Sequence, residues 1–427
     1  MSSRTKIPRH ENMDVTVMGA GLTGSCVALE LASRGFSVAL VDQDRFPMNR
    51  ASRRNEGKIH LGLIYAADAS FATSDLQLRG ALSFSQLLTR WLGDAAGRWR
   101  LSTPFAYLVA QDSLIGPEDL EAHYTMVEDA YHRHLKETPS LSYLGARPER
   151  LAWRLSSEEL DGRLNRNMLS AAFGTNELAV DTDQLADLVT AAITAAPRIN
   201  FWSGYKVREI DRKSGHFKVS GDGPDGYWTL RSEQVVNATW ENRIGLDAAL
   251  GIEHRPGWLY RLKYRVLARL PRVLYGAPSA TMVLGPYGDV VIRPDGTAYL
   301  SWYPAGLRGW SNELRPPDQW EKACRGESSN EAPELVEAII AGIEPWYPDI
   351  VRCNPFQVDA GAIVAYGHTD VDDRHSGLHD RTRVGVVSFD GYHSVDPGKL
   401  TTAPLFAMEA AEKVAADSQR LPIRSGS

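Results

Sequence analysis

Three glycines, Gly19, Gly21 and Gly24, stand in the G-x-G-x-x-G spacing, and an acid, Asp42, follows at roughly the distance where such a fingerprint places a ribose ligand. Together these residue types can hold a dinucleotide. Gly19 permits a tight turn, Gly21 lets backbone N–H groups approach a pyrophosphate, and Gly24 lets a helix pack close to the preceding strand. Asp42 would accept from a ribose hydroxyl and disfavours a 2′-phosphate. The fingerprint alone leaves NAD and FAD open, because both present a pyrophosphate and an adenosine ribose.

These residues need a strand, a glycine turn, a helix and a second strand to position them. Residues 14–18 form an apolar run, Val27, Ala28, Leu31 and Ala32 recur at helical spacing over 23–34, Gly35 ends that helix, and 37–41 reads as the second strand. The helix aims its positive end at the phosphates. Downstream, 74–92 and 118–137 read as helices. The second carries His123, His132 and His134, read as solvated, with no carboxylate or cysteine set to complete a metal site. A capped amphipathic helix spans 181–196; strands are expected at 201–210, 216–220 and 235–240. Residues 258–270 alternate strictly, with Tyr260, Leu262, Tyr264 and Val266 on one face and Arg261, Lys263 and Arg265 on the other. That basic face is either solvated, the favoured reading, or turned toward an anion. Pro294-Asp295-Gly296 marks a hairpin between 289–293 and 297–302, and 334–343 reads as a helix ending before Pro345. An apolar strand at 384–389 and a helix at 404–416 close the pattern.

The chain has 427 residues, 43% hydrophobic and 23% charged, the profile of a globular protein with two or three cores. A net charge of −6 argues against a nucleic-acid partner. Cys26, Cys324 and Cys353 lie far apart, which suggests neither a disulfide framework nor a zinc site. No run approaches the ~18 apolar residues of a membrane-spanning helix, and the start lacks a leader-like apolar core. The expectation is a cytoplasmic protein with flexible termini at 1–12 and 418–427 and no metal.

Asn55-Glu56-Gly57-Lys58-Ile59-His60-Leu61-Gly62 resembles the N-x-G-x-I-H-x-G segment of the D-amino-acid-oxidase-like flavoproteins, with the L-2-hydroxyglutarate oxidase branch nearest. Gly398-Lys399-Leu400-Thr401-Thr402 resembles the G-K-L-T-T ending of the FAD-dependent glycerol-3-phosphate dehydrogenases. Val235-Val236-Asn237-Ala238-Thr239 is similar to the V-V-N-A-T/A-G strand of the same superfamily, with Trp240 where glycine is common. The resemblance implies FAD as cofactor. It also implies a fold of the α/β class: a discontinuous Rossmann-like FAD-binding domain (13–75, 176–250 and 360–417) with an inserted α+β substrate domain (76–175 and 251–359) built on an antiparallel sheet. Cofactor contacts are implied for Gly19, Gly21, Gly24, Asp42, Arg54, Asn55, Gly57, Lys58, Ile59, Ala238, Thr239, Gly391, Gly398, Lys399, Leu400 and Thr401. Val207 is either an adenine contact or a core valine.

The reaction shared by these branches is hydride removal from a carbon bearing OH or NH, with a base taking the heteroatom proton. The motifs put His60 and His393 nearest the flavin as base candidates, His60 first. A covalent flavin bond to His60, or a purely structural His60, are the other readings. Arg293, Tyr260 and Tyr303 are substrate-site candidates, both tyrosines having core packing as the competing reading. Arg54, Arg261, Arg293 and Lys399 favour a carboxylate or phosphate substrate. The electron acceptor stays open between O2, a quinone and another protein, as does a peripheral membrane contact. Two further classes remain: a flavin-binding protein that does not turn over, and an NAD-dependent enzyme on the same opening fold.

Overall fold

The computed structural model describes residues 12–420 apart from 161, 214 and 328–331; the expected flexible termini fall largely outside the described residues, and 418–420 continue the last helix. Two large sheets organise the chain. In the first, the strands Asn12–Met18, Val38–Asp42, Ile199–Ser203, Gly226–Asn237 and Tyr392–Asp396 run parallel, with Asn12–Met18 central, and Gly385–Phe389 adds an antiparallel edge. Both faces of its central strands are apolar for a visible reason. Val15, Val17, Val38 and Leu40 pack under the helices Leu22–Ser33, Ala72–Leu92, Thr182–Ala195 and Ala403–Arg420, whereas Met18, Ala39 and Val41 meet Ile210, Phe217 and Val219 of an antiparallel hairpin on the other side. A strand buried on both faces reads as a continuous run, as Val38-Ala39-Leu40-Val41 does.

The glycines sit where the first strand meets the first helix. Gly19 has φ +92°, and a Cβ there would fall 2.6 Å from the Ala238 carbonyl oxygen; a Cβ at Gly24 would fall 1.9 Å from the Gly19 oxygen. The close helix-strand approach therefore excludes any side chain at position 24.

The second sheet runs Leu307–Ser311, Trp258–Arg269, Thr297–Trp302, Gly288–Ile292, Ser279–Met282, Phe105–Ala110, Leu169–Thr175, Ala152–Arg154, with Asn354–Tyr366 along the other side of the long strand Trp258–Arg269. It is antiparallel except where Ser279–Met282 meets Phe105–Ala110. Val266, Ala268, Val290, Ile292, Ala298 and Leu300 face the helix Ala332–Ile343, and the opposite face turns toward the first domain.

Several expectations need correction. The helix Ala72–Leu92 packs on Ala403–Arg420 and Leu22–Ser33, so it belongs to the nucleotide layer and not to the inserted domain from residue 76. Asn354–Tyr366 lies wholly in the second sheet, so a boundary at 360 cuts through a strand. The strand completing the first sheet from within is Tyr392–Asp396; the run at 384–389 is its edge, with Val387 and Phe389 exposed. His123 is buried, its Nε2 3.2 Å from the Gly62 carbonyl, because its helix packs on the segment after the fingerprint. The basic face of Trp258–Arg269 is not solvated: Arg261, Lys263 and Arg265 are all buried.

Gly24→Ala is expected to cost ~1–3 kcal/mol or more by overpacking. It should lower the urea midpoint and abolish dinucleotide retention, whereas Gly97→Ala, in open space, should leave retention unchanged. Equal retention by the two variants would contradict the close-packing account.

Candidate active site

A long cavity of ≈ 1500 Å³, including its open mouth, follows the carboxyl ends of the parallel strands. At one end it is lined by Tyr205, Lys206, Val207 and Leu246, in the middle by Gly19, Gly21, Asp42, Ala238 and Thr239, and at the other end by Glu56, Lys58, His60, Lys263, Tyr299 and Lys399. Asp42 Oδ2 accepts from Ala20 N at 2.6 Å and its Oδ1 from Asp44 N at 2.8 Å, so the carboxylate braces the glycine turn as well as lining the cavity. Burial, opposed by those two N–H groups, pushes its pKa up to about 6. Arg50 clasps Asp44 (2.9 Å), Glu241 (3.2 Å) and Glu321 (2.7 Å), tying three distant segments across the same end. Trp240 stands at φ +52°, a left-handed conformation costly for a bulky residue, and its indole N–H donates to the Ala362 carbonyl at 2.8 Å. That bond ties the segment after the strand Gly226–Asn237 to the strand Asn354–Tyr366 of the second sheet.

A second cavity of ≈ 840 Å³ opens beyond the far end and shares Glu56, Lys58, His60, Lys263 and Lys399 with the first. Asp289 organises this junction. It stands 3.1 Å from Lys58 Nζ and 3.6 Å from Lys263 Nζ, and accepts from Thr281 Oγ1 at 2.7 Å. Burial works against the Asp289 charge, but the two lysines prevail and hold its pKa below the usual range. Glu56 behaves likewise: burial opposes its charge and Lys263 and Lys399 overcome that. His60 Nδ1 is 3.5 Å from Glu177 Oε1; burial lowers its pKa from 6.5, against the pull of Glu177, and keeps the imidazole neutral. The Thr401 hydroxyl accepts the His60 backbone N–H at 2.9 Å. Lys399 and Arg381 form no ion pair among the described residues. Burial brings the Lys399 pKa down to about 8 and that of Arg381 down to about 10.

Most of the residues implied by the fingerprint and by the carboxyl-terminal segment line the first cavity: Gly19, Gly21, Asp42, Arg54, Asn55, Lys58, Val207, Ala238, Thr239, Gly398, Lys399 and Leu400. Gly24, Gly57, Ile59 and Thr401 do not line it and act on its walls. A Cβ at Gly57, at φ +78°, would fall 2.1 Å from the Val180 oxygen, and Ile59 pairs with Leu178 in a two-stranded sheet. Asn55 spends its amide on Ala51 O, Ser52 O and Gly57 N within its own loop. Tyr303 lines the second cavity, with Lys263 Nζ 4.4 Å above its ring. Arg261 is not among the residues lining either cavity; it is buried and donates to Asp370 at 2.7 Å.

Four candidates lie elsewhere. His393 is enclosed beneath the last helix, between Gln234 Oε1 (2.9 Å), Ser388 Oγ (2.8 Å) and Asp417 (3.8 Å), because its strand is internal to the first sheet. Gly391 sits in the edge hairpin at φ +85° and accepts from Val235 N. Arg293 follows Ile292 at the turn, about 13 Å along the strand from Asp289. Tyr260 packs with Ile244, Trp320 and Ala362 on the face opposite Arg261. Conversely, Glu56, Tyr65, Glu177, Asp289, Tyr299 and Arg381 were not singled out. Glu56 lay inside the quoted motif, but Arg381 comes from an irregular segment with no pattern to mark it.

The described residues contain no group of three His, Cys, Asp or Glu placed to hold a metal, and no helix long and apolar enough to cross a membrane. The first cavity fits a dinucleotide carrying a ring system: a glycine cradle that any Cβ would fill, a helix amino end behind it, and an elongated extension to Lys399.

A family model described as FAD dependent oxidoreductase (DAO) matches residues 14–413. An aerobic glycerol-3-phosphate dehydrogenase of Staphylococcus haemolyticus is 38% identical over 61 residues, 14% of this chain and 11% of that protein's length. The fold is similar to glycine oxidase from Geobacillus kaustophilus (TM-score 0.66, 17% identity, 94% of this chain and 95% of that one). It is also similar to L-α-glycerophosphate oxidase from Mycoplasma pneumoniae with FAD bound (TM-score 0.63, 17% identity, 95% of each chain). L-proline dehydrogenase from P. horikoshii matches at TM-score 0.65 and 14% identity, covering 97% and 96%.

His393 predicts a pH-dependent stability. Burial, reinforced by Lys413 and opposed by Asp417, pushes its pKa from 6.5 down to about 4. The folded state then binds fewer protons than the unfolded state, so this contribution is complete above pH 6.5 and is lost as pH falls toward 4. His393→Gln should flatten the decline of the denaturation midpoint over that window and leave turnover within about twofold; an unchanged slope would show that His393 is not buried neutral.

Proposed function

The chain belongs to the FAD dependent oxidoreductase (DAO) family, and from that premise we propose that it oxidises a C–H bond beside OH or NH in a small anionic molecule held in the second cavity. FAD is the cofactor, and the fold around the glycine fingerprint is that of the family. The observation carrying the reading is the shared border of the two cavities, where Glu56, Lys58, His60, Lys263 and Lys399 face both. In the first cavity Gly19, Gly21, Asp42, Ala238 and Thr239 would hold the dinucleotide, and Gly398-Lys399-Leu400 would face its ring end.

Bound FAD supplies the two-electron oxidant. That oxidant would take up the hydrogen of the substrate C–H bond together with its electron pair, and His60 would take the proton released from O–H or N–H as C=O or C=N forms. His60 is suited to receive that proton because burial keeps it neutral at pH 7, and Glu177 stabilises the imidazolium that forms. Arg381 and Lys399, without ion-pair partners among the described residues, neutralise the substrate anion. Lys263 stays charged: burial works against it, but the surrounding carboxylates and tyrosines hold its pKa well above the ordinary value.

Anaerobic mixing of the holoenzyme with a panel of 2-hydroxy acids, amino acids and polyol phosphates should bleach the flavin with one anionic class. His60→Ala should slow that reduction by about 10²–10⁴-fold with flavin still bound. Unchanged reduction by the variant would remove His60 from the role. For a hydroxy-acid substrate, kcat/KM should rise with pH through a midpoint below 6.5 as His60 deprotonates, and fall above about 8 as Lys399 loses its charge. Lys399→Arg, which keeps the charge, should move only the alkaline limb upward.

A further inference from the structure

Whatever the substrate, we infer that the first cavity is shut across its dinucleotide by a two-point clasp, Trp240 to Ala362 and Arg50 to Glu321, which opens for FAD to enter or leave. The clasp governs how fast the cofactor exchanges; the glycine cradle governs how tightly it is held.

The first point is Trp240. It stands at φ +52°, in the left-handed region that favours glycine. A bulky residue held under such strain points to a use for its side chain, and here the use is visible. The indole N–H donates to the Ala362 carbonyl at 2.8 Å, and both residues line the first cavity. They come from different sides of it. Trp240 follows the strand Gly226–Asn237 of the first sheet, whereas Gly361, Ala362 and Ile363 form a stretch of wall supplied by the strand Asn354–Tyr366 of the second. The ring packs against the cluster of Ile244, Tyr260, Trp320 and Cys324, so its place is fixed on both sides of the tie.

The second point is Arg50. A guanidinium lining a cavity built for a pyrophosphate is a natural phosphate ligand, but each nitrogen of this one is already committed to a carboxylate. Nε donates to Asp44 at 2.9 Å, Nη1 to Glu241 at 3.2 Å and Nη2 to Glu321 at 2.7 Å. Its work is therefore closure. Asp44 and Glu241 anchor it on the nucleotide side, and Glu321 lies across from them. Lys206, which lines the cavity beside Tyr205 and Val207, reaches the same Glu321 at 3.3 Å.

The two points act on one body. Glu321 opens the short helix Glu321–Cys324, which packs on Asn354–Tyr366, the strand that carries Ala362. Trp320, against which the Trp240 ring packs, directly precedes that helix, and Glu241 directly follows Trp240. The cradle of Gly19, Gly21 and Asp42 belongs to the first sheet and its turn, so releasing these ties parts the second-sheet wall from the cradle without disturbing the cradle itself.

The test is FAD exchange measured in both directions. Uptake by the apoprotein is followed as quenching of flavin fluorescence, and release from the holoenzyme into excess 8-chloro-FAD as the change in visible absorption. Trp240→Phe keeps a ring and loses the donor; both rate constants should rise about five- to tenfold, the worth of one hydrogen bond, with Kd within about twofold. Glu321→Gln, at a residue that does not line the cavity, should raise both about threefold, as expected for loosening a partly exposed ion pair. A faster release with unchanged uptake would make Trp240 an ordinary cofactor contact and overturn the inference. Unchanged rates in both variants, with a lowered denaturation midpoint of the apoprotein, would overturn it by showing the ties to be structural only. Acceleration in one variant alone would overturn the other point of the clasp. These rates are read without any substrate, so a failure here is distinct from a failure of the proposed reaction.

Discussion

Two ammonium groups, Lys58 from the segment after the glycine fingerprint and Lys263 from the second sheet, are buried together because Asp289 lies between them, 3.1 and 3.6 Å away. Removing one partner of a buried pair typically costs about 3–5 kcal/mol, because the charge left behind is uncompensated. The constraint is therefore geometric as well as electrostatic: the second sheet, in which Asp289 already faces Lys263, meets the nucleotide domain in the position that brings Asp289 to Lys58. Arg265 repeats the device two residues along the same strand, on the same face as Lys263. It pairs with Asp359, its register partner on the neighbouring strand, and donates to the Arg53 carbonyl of the loop before Lys58. The two cavities share a border because these bonds hold their walls together.

Satisfied charge at the junction makes the unsatisfied charge informative. With Lys58 and Lys263 matched by Asp289, Lys399 and Arg381 line the second cavity without an ion pair among the described residues, and both have lowered pKa values because burial penalises them before any ligand arrives. An anion entering the second cavity would be repaid by relieving that penalty. The same burial acts in the opposite functional sense on His60, which it keeps neutral and therefore able to take a proton. One low-dielectric environment thus prepares a cation pair for binding and a neutral base beside it.

Residues whose role follows from their own backbone were legible before any fold was known. Gly19 and Gly24 are required by local close approach, and the Pro294-Asp295-Gly296 turn joins neighbouring strands, so spacing along the chain carries that information. The basic face of Trp258–Arg269 shows where such reading stops. Its alternation was evident, but its acids come from Asp289, Asp359 and Asp370, distant in the chain, and without them a charged face reads as a wet one. His393, which the motifs put near the flavin, lies elsewhere for a related reason: the strand Tyr392–Asp396 turns alternate residues to opposite faces and sends the imidazole under the last helix.

By itself, then, the sequence determined the dinucleotide cradle, the α/β class and the family resemblance that implied FAD, because each depends on short-range spacing or on a local motif. Tertiary structure alone decided which charges are buried, which are paired and which are left facing a ligand. Arg381 and Tyr65 acquire their setting, and Arg293 and Tyr260 lose their candidacy, only when two sheets separated along the chain close on each other, since solvation and pairing are properties of neighbours in space. The fingerprint holds the cofactor by local geometry; the substrate cavity depends on contacts that no stretch of the chain contains.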